Sequence, residues 1–183
     1  MNNRPMLKKI LIVLTFLIAA LLAFAFFQPD KYTVTRTSQP IKATPQEVYN
    51  QIADFGNWNK WSPWHQLDPQ MQETFGGPSS GQGSIYSWTS AQDGVGSGRM
   101  EIVSATPPSD VNIRLDFLSP MEATANTQFK IGEAATGGTQ VTWTMSGDMD
   151  YMSKVMNVFG TMDKMIGKDF EKGLSQLKAH AEK

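Results

Sequence analysis

The chain has 183 residues, which is long enough for one folded domain with an appendage and too short for two full enzyme domains. Without Arg4, Lys8 and Lys9, the remaining chain carries 13 basic and 17 acidic residues, a net charge of −4. This balance argues against nucleic-acid binding, which requires a basic excess. Cysteine is absent and the two histidines, His65 and His180, lie far apart, so we predict no metal site and no cofactor.

The N-terminal part of the chain is strongly apolar. Residues 10–27, which begin with Ile10 and end with Phe27, carry no charge and are apolar except for Thr15. Eighteen such positions lie near the lower length limit for crossing a bilayer as a helix. We interpret this run as an uncleaved anchor, because a signal-peptide core has only about 7–15 apolar residues. The alternative is secretion after cleavage at Ala23-Phe24-Ala25, which resembles a small-x-small site.

This interpretation divides the chain into three parts. Residues 1–9 form a cytoplasmic tail, residues 10–27 form the transmembrane anchor and residues 28–183 form the folded domain. The three basic residues of the short tail lie within six positions of the anchor, an arrangement that keeps a tail in the cytoplasm. The predicted localisation is therefore a single-pass membrane protein with an extracytoplasmic domain, which is periplasmic in a Gram-negative cell.

The first elements of the folded domain are a strand and a helix. Polar and apolar positions alternate over residues 32–37, which predicts a strand with one exposed face. Thr44 is then predicted as a helix N-cap, with Pro45 at the first helical position and Glu47 completing a capping box. Gly56 is the predicted end of this helix.

The middle of the chain is predicted to form an antiparallel sheet. The expected strands are 84–90, 97–104, 111–118, 124–131 and 139–146, and Asp93-Gly94 is a hairpin signal between the first two. Alternation places a set of mainly apolar residues on one face: Met100, Ile102, Ile113, Leu115, Phe117, Thr127, Phe129, Ile131, Val141, Trp143 and Met145. The opposite face receives Arg99, Glu101, Arg114, Asp116, Thr142 and Thr144.

The C-terminal segment is predicted to be one long amphipathic helix. Apolar residues recur at three- and four-residue intervals from Met152 to Leu177. Gly160 and Gly167 lie inside this pattern and indicate a bend or a close backbone approach. The order of a strand, short helices, consecutive strands and a long helix predicts an α+β fold, in which a curved antiparallel sheet wraps around the C-terminal helix.

Four segments resemble a known superfamily. These are IKATPQEVY at 41–49, DFGNWNKWSPW at 54–64, GTQVTW at 138–143 and FEKGLSQLK at 170–178. They are similar to the START-like (SRPBCC) superfamily, and within it to the polyketide cyclase/dehydrase and lipid-transport family. The resemblance implies a helix-grip fold of about seven strands around the helix, with an apolar cavity between them. It implies a ligand-binding scaffold more firmly than any reaction.

Aromatic and methionine side chains are the candidate ligand contacts. Trp58, Trp61 and Trp64 follow one another at three-residue intervals and form either an aromatic rim at the cavity mouth or a packing cluster. Methionines concentrate between residues 149 and 165, and their flexible thioethers suit either a core or an adaptable pocket. The predicted cavity residues are Trp61, Trp64, Met100, Leu115, Phe117, Phe129, Trp143, Met145, Met152, Met156, Phe159, Met162 and Ile166.

No catalytic residue is assigned from the sequence. His65 lies beside Trp64, but neither a nucleophile nor an orienting carboxylate is visible near it in sequence. The leading hypothesis is a membrane-anchored, non-catalytic domain that binds a hydrophobic small molecule or lipid. One alternative is an enzyme of the cyclase or dehydratase class, which requires an ionisable residue on the apolar face. The other is an envelope protein–protein interaction module whose cavity is filled by its own side chains.

Overall fold

The computed structural model describes residues 4–92, 94–158 and 160–183. Within these residues the domain consists of one seven-stranded antiparallel sheet with helices packed on its concave face. The predicted hairpin signal at Asp93-Gly94 includes Asp93, which lies outside the described residues. The expected α+β helix-grip architecture is confirmed.

The predicted elements follow one another in the expected order, and one further strand, at Gln72–Gly76, was not predicted. The helices are α1 (Arg4–Phe26), α2 (Pro45–Ala53), α3 (Tyr151–Asn157) and α4 (Thr161–Ala181), with a 3-10 helix at Phe55–Lys60. The strands are β1 (Lys31–Thr37), β2 (Gln72–Gly76), β3 (Ile85–Thr89), β4 (Ser97–Thr106), β5 (Asp110–Ser119), β6 (Ala123–Glu133) and β7 (Thr139–Asp148). Their order across the sheet is β1-β7-β6-β5-β4-β3-β2.

The first domain helix begins as the sequence predicts and ends earlier. The Thr44 hydroxyl accepts a hydrogen bond from the Glu47 backbone N–H at 3.3 Å, and the Glu47 carboxylate accepts one from the Thr44 N–H at 2.7 Å. This is the expected capping box. The helix ends at Ala53, because the Asp54 carboxylate accepts from the Gly56 N–H at 2.8 Å and caps the 3-10 helix that follows.

The predicted C-terminal helix is divided into two helices. Gly160 separates α3 from α4 and has a φ of 65°, a left-handed conformation that glycine adopts without steric cost. Helix α3 packs against α1, whereas α4 packs on β1. The expectation that Met152 and Met156 face the sheet is therefore wrong, and these side chains are 64% and 61% exposed.

The predicted charged face of the sheet is also present. Arg99 Nη2 lies 2.7 Å from the Glu101 carboxylate, and Arg114 Nε lies 3.0 Å from that of Asp116. These ion pairs run along the strands, while the register also places Arg99 opposite Asp116 and Glu101 opposite Arg114. All four side chains retain solvent contact, which is typical of a surface ion-pair network.

Arg36 fastens helix α4 to the edge strand β1. Its guanidinium donates to the carboxylates of Asp163 at 2.9 Å and Glu171 at 2.7 Å, and these hydrogen bonds raise the pKa of Arg36. A Cβ atom added to Gly167 would lie 2.0 Å from Arg36 Nη2. Gly167 is thus the position where the backbone of α4 closely approaches the Arg36 side chain, as its place in the helical pattern predicts.

Gly173 allows a second close approach. A Cβ atom at this position would lie 2.9 Å from Trp143 Cζ3 and 3.2 Å from Pro63 Cδ. The Trp143 indole is fully buried and Pro63 is fixed in a ring, so neither neighbour can retreat easily. The absence of a side chain on this turn of α4 therefore sets how closely the helix approaches β7.

We predict that Gly173→Ala destabilises the domain by up to about 2 kcal/mol. Overpacking typically costs about 1–3 kcal/mol, and the helix propensity of alanine offsets about 1 kcal/mol of this cost. Urea unfolding measures the change. Ser175→Ala, on the exposed side of the same helix, is the matched control and should be neutral or slightly stabilising. Equal stability of the two variants would contradict the close packing of α4 on Trp143.

Candidate functional site

An aromatic cluster fills one end of the space between the sheet and α4. We define it as Trp58, Trp61, Phe129, Trp143 and Phe170, all of which are buried. The Trp143 and Phe170 rings are stacked with centroids 3.9 Å apart and an interplanar angle of 9°. The ring centroids of Phe129 and Trp143, and those of Trp58 and Trp61, are 4.7 Å apart. These distances are typical of a closely packed core.

The tryptophans of the 3-10 segment are attached to α2. Trp58 Nε1 donates to the Ile52 carbonyl at 2.9 Å, and Trp61 Nε1 donates to the Gln51 carbonyl at 3.1 Å. Trp64 is only partly buried and meets Trp143 edge to face at 6.0 Å. Of the two readings that the sequence left open, packing describes Trp58 and Trp61, while Trp64 has the partial exposure expected of a rim.

Four of the candidate cavity residues are less completely covered than the aromatic cluster. They are Trp64, Phe117, Met162 and Ile166, all partly buried, and the first, second and fourth pack against the core. We refer to these four residues as the open end. Phe117 lies near the end of β5, and Met162 and Ile166 lie in the first two turns of α4. Burial of α4 therefore rises along its length, from these residues to the fully buried Phe170 and Leu177.

The thirteen candidate cavity residues fall into four groups. Six are buried on the concave side: Trp61, Met100, Leu115, Phe129, Trp143 and Met145. The four residues of the open end are partly buried. Met152 and Met156 are exposed on α3, and Phe159 lies outside the described residues.

Two buried polar atoms interrupt the apolar interior. Trp143 Nε1 and Thr127 Oγ1 have no hydrogen-bond partner within the described part of the chain, although their residues are 1% and 3% exposed. Thr127 is opposite Met145 and Phe129 is opposite Trp143, so Thr127 and Trp143 are diagonal neighbours on one face. Leaving such a group unpaired costs about 1–3 kcal/mol. A single acceptor oxygen of a bound molecule is the chemical partner that suits both groups, because an indole N–H only donates hydrogen bonds and a hydroxyl can donate one.

Thr127 was not among the candidate cavity residues. It was nevertheless the single polar residue of the predicted inward-facing set, between Ile113 and Met145 in the register. A single polar residue in an otherwise apolar inward-facing row was the feature of the sequence that could have identified Thr127 as a candidate ligand contact.

Three ionisable side chains meet at the β2–β3 end of the sheet. The Tyr86 hydroxyl donates to Glu73 Oε1 at 2.7 Å, and His65 Nδ1 lies 3.5 Å from the same oxygen, which is an ion-pair distance rather than a good hydrogen bond. Burial, together with the hydrogen bond to Glu73 and its negative charge, raises the pKa of Tyr86 well above its usual value. The carboxylate partner of His65 that the sequence did not reveal is thus Glu73, on the unpredicted strand β2.

We predict that Tyr86 makes the domain sensitive to alkaline pH. Its pKa is raised on folding, so its contribution to stability is complete below the ordinary value of 10.0 and is lost as the pH rises above it. The free energy of unfolding of the wild type should therefore fall more steeply above about pH 10 than that of Tyr86→Phe. Urea unfolding at a series of alkaline pH values measures both slopes, and parallel slopes would contradict the raised pKa.

The surface has two depressions, and Thr127 is among the residues that line the second. One, of about 790 Å³, is lined by several residues between Pro40 and Glu47 and by the β6–β7 connection. The other, of about 290 Å³, is lined mainly by polar residues of β5, β6 and β7 that include Asn112, Gln128 and Ser146. Neither contains any of the thirteen candidate residues. Among the residues that the structure describes, no group of three His, Asp or Glu side chains is placed to hold a metal ion.

The fold is similar to several solved structures. The di-domain ARO/CYC BexL from the BE-7585A biosynthetic pathway has a TM-score of 0.61 and 13% identity, with 87% of this chain and 52% of that chain covered. An uncharacterised protein from Rhizobium leguminosarum gives 0.59 and 14%, with 83% and 95% covered. Protein CV1439 from Chromobacterium violaceum gives 0.57 and 14%, with 85% and 99% covered. The chain spans about half the length of BexL, and identities this low show the fold alone.

A family model provides the closer classification. No match was found among curated protein sequences. The model for polyketide cyclase / dehydrase and lipid transport matches residues 32–182, which include every strand of the sheet except the first residue of β1, together with α2, α3 and α4. This family indicates an SRPBCC domain that is either ligand-binding or cyclase-like. The chain therefore belongs to the polyketide cyclase/dehydrase and lipid-transport family.

Proposed function

We propose that this protein is a membrane-anchored domain that binds a hydrophobic small molecule or lipid without catalysing a reaction on it. The observation that carries the proposal is the pair of unpartnered polar atoms, Trp143 Nε1 and Thr127 Oγ1, on the otherwise apolar concave face. A ligand with an apolar body and one acceptor oxygen, such as a ketone or ester, would satisfy both atoms. Its binding would recover the free energy that the unpaired groups cost in the unbound protein.

The open end is the proposed position of the ligand's apolar body. Its four residues retain solvent contact, whereas the aromatic cluster beside them is closely packed. An apolar molecule that covered Phe117, Met162 and Ile166 would remove their remaining surface from water, which is favourable by about 25 cal/mol per Å². Met162 is also flexible enough to adapt to ligands of different shape.

Helix α1 is the proposed anchor. Residues Met6–Phe26 are long enough and apolar enough to cross a membrane, and only 6% of the most apolar window is buried by the rest of the protein. A signal sequence passes the same test. Retention is supported by Ala25, which is fully buried, and by the Tyr151 hydroxyl, which donates to the Leu22 carbonyl at 2.9 Å. Cleavage after Ala25 would remove these contacts. The basic residues before the span support a cytoplasmic N-terminus and an extracytoplasmic domain.

A second candidate function is favoured by the His65, Glu73 and Tyr86 group. An enzyme of the cyclase or dehydratase class needs an ionisable group on the apolar face, and Glu73 is opposite Trp88 in the row that continues through Gly98 to Phe117. A carboxylate held by a tyrosine and close to an imidazole is an arrangement suited to proton transfer. This candidate requires that the bound molecule be changed chemically, which distinguishes it from the leading proposal.

We predict that Thr127→Val weakens ligand binding without weakening the fold. The substitution keeps the shape of the side chain and removes a hydroxyl that has no partner among the described residues, so the free energy of unfolding should be unchanged or higher. Binding of a naphthyl ketone dye should weaken by about 0.5–1.5 kcal/mol, roughly two- to tenfold in Kd. Fluorescence titration of the full-length protein gives both affinities.

The control for this prediction is Thr106→Val, which removes an exposed hydroxyl at the end of β4. It should leave dye affinity unchanged. If both variants bind the dye as the wild type does, the interior hydroxyl does not contact the ligand and the proposed site is wrong.

Organic extraction of the purified full-length protein should release a stoichiometric apolar molecule that mass spectrometry can identify. We predict that Glu73→Gln releases the same molecule, because a domain that only binds does not depend on proton transfer by Glu73. A molecule of different mass from the variant would identify an accumulated substrate and support the enzyme. No molecule from either protein would support the interaction module, in which the protein's own side chains fill the cavity.

A further inference from the structure

One end of the sheet, where several strands begin or end, is held close to α1 by the chain itself. Residues 27–30 are the only link between α1 and β1, and they span at most about 17 Å when fully extended. Because the sheet is antiparallel, the start of β1 shares this edge with the end of β7, the start of β6 and the end of β5. We name this end of the sheet, formed by the ends of these four strands, the anchor edge. It also carries the β5–β6 turn, residues 120–122, and the connection from β7 to α3.

Helix α3 lies beside the last turns of α1. The Tyr151 hydroxyl donates to the Leu22 carbonyl, which is one helical turn before the end of α1 at Phe26. The Met149 N–H donates to the Asp30 carbonyl at 2.7 Å, and Lys154 forms an ion pair with the Asp30 carboxylate. If α1 spans a bilayer, these contacts place α3 at the boundary between hydrocarbon and headgroups.

The anchor edge exposes large apolar side chains on two separate elements. Leu118 and Met121, at the β5–β6 turn, are 58% and 70% exposed, and Met152 on α3 is 64% exposed. The turn is two strands away from the end of β7, a distance of about 10 Å in a sheet. Single exposed apolar residues are common, but a group that adjoins an apolar helix indicates a shared apolar environment.

The turns at the opposite ends of these strands carry no large apolar side chain. The β4–β5 turn is Pro107-Pro108-Ser109, and the β6–β7 turn, residues 134–138, contains only alanine, threonine and glycine. Phe75 on β2 and Val103 on β4 are exposed towards that end but lie within strands, 58% and 43% exposed. Among the β4–β5, β5–β6 and β6–β7 turns, only the one that adjoins α1 exposes a large apolar residue.

The charges at the anchor edge indicate which kind of lipid surface it fits. Lys31 lies 3.6 Å from the Asp148 carboxylate, and Lys154 is paired with Asp30, so both basic side chains already have acidic partners. Glu122 in the turn adds a further negative charge. An excess of acidic residues does not attract anionic lipids, so contact with a membrane here depends on apolar side chains and suits zwitterionic headgroups.

We propose that the β5–β6 turn and α3 insert Leu118, Met121 and Met152 into the interfacial layer of the same bilayer that α1 crosses. This inference rests on the proposed anchor. Insertion removes these side chains from water and holds the anchor edge flat against the membrane. Phe117 directly precedes Leu118 at the end of β5, so the strand end that carries Phe117 then lies next to the bilayer, with the two side chains on opposite faces of the sheet. An apolar ligand passes between bilayer and interior without crossing bulk water.

The test uses the full chain in phosphatidylcholine vesicles. Because the protein has no cysteine, Met121→Cys and Met152→Cys each provide one site for an environment-sensitive fluorophore. Ala135→Cys, in the exposed β6–β7 turn of the opposite edge, is the matched control. Lipids that carry a nitroxide near the headgroup should quench the label at positions 121 and 152. The apolar surroundings of the label at these positions should also shift its emission to the blue. The label at position 135 should show neither effect.

Extraction with alkaline carbonate separates the possible failures. If the protein stays with the vesicles and the labels at 121 and 152 are quenched no more than the label at 135, the anchor stands and membrane docking of this edge is wrong. If carbonate releases the protein, the anchor itself is wrong and the docking proposal falls with it. Quenching at only one of the two positions would overturn the joint insertion of turn and helix.

Discussion

The stacking of Trp143 on Phe170 is the contact on which the rest of the domain depends. It brings the middle of α4 against β7, and it is possible only because the neighbouring turn carries Gly173, where a Cβ atom would meet the indole. Trp58 and Trp61 complete the cluster from the 3-10 segment, and their N–H groups fasten that segment to α2. One aromatic cluster therefore fixes the sheet, α2, α4 and the 3-10 segment in a single arrangement.

This cluster also makes the packing of the interior closer at one end than at the other. A helix that is pressed to the sheet at Phe170 cannot follow the curved sheet equally closely along its whole length, so burial falls towards Met162 and Ile166. One of the two unpartnered polar atoms belongs to Trp143 in this cluster, and the other belongs to its diagonal neighbour Thr127. The same geometry thus supports a site that is rigid at one end and adaptable at the other, which suits a ligand with one polar group on an apolar body.

Much of the fold could be predicted from local patterns, and the failures have physical causes. Period-two alternation identified the inner faces of β4 to β7, because each of these strands buries one face only. Strand β2 has no such signal, since it is a short edge strand with mostly exposed side chains, and Glu73 was missed with it. Gly160 was identified as a position for a bend or a close approach, but a complete division of the helix there was not predicted, because apolar spacing continues across it. Helical periodicity shows which side of a helix is apolar but not what covers that side.

The division at Gly160 connects the proposed pocket to the proposed anchor. An unbroken helix would carry residues 151–157 along the axis of α4, away from α1, and Tyr151 could not reach Leu22. The left-handed glycine instead turns α3 towards α1 while α4 begins at the open end. Only three residues separate the end of α3 from the first turn of α4, where Met162 is partly buried. Arg36 holds α4 at Asp163, in its first turn, and at Glu171, eight residues later, so the start of α4 is fastened to β1 as firmly as the turn beside the aromatic cluster.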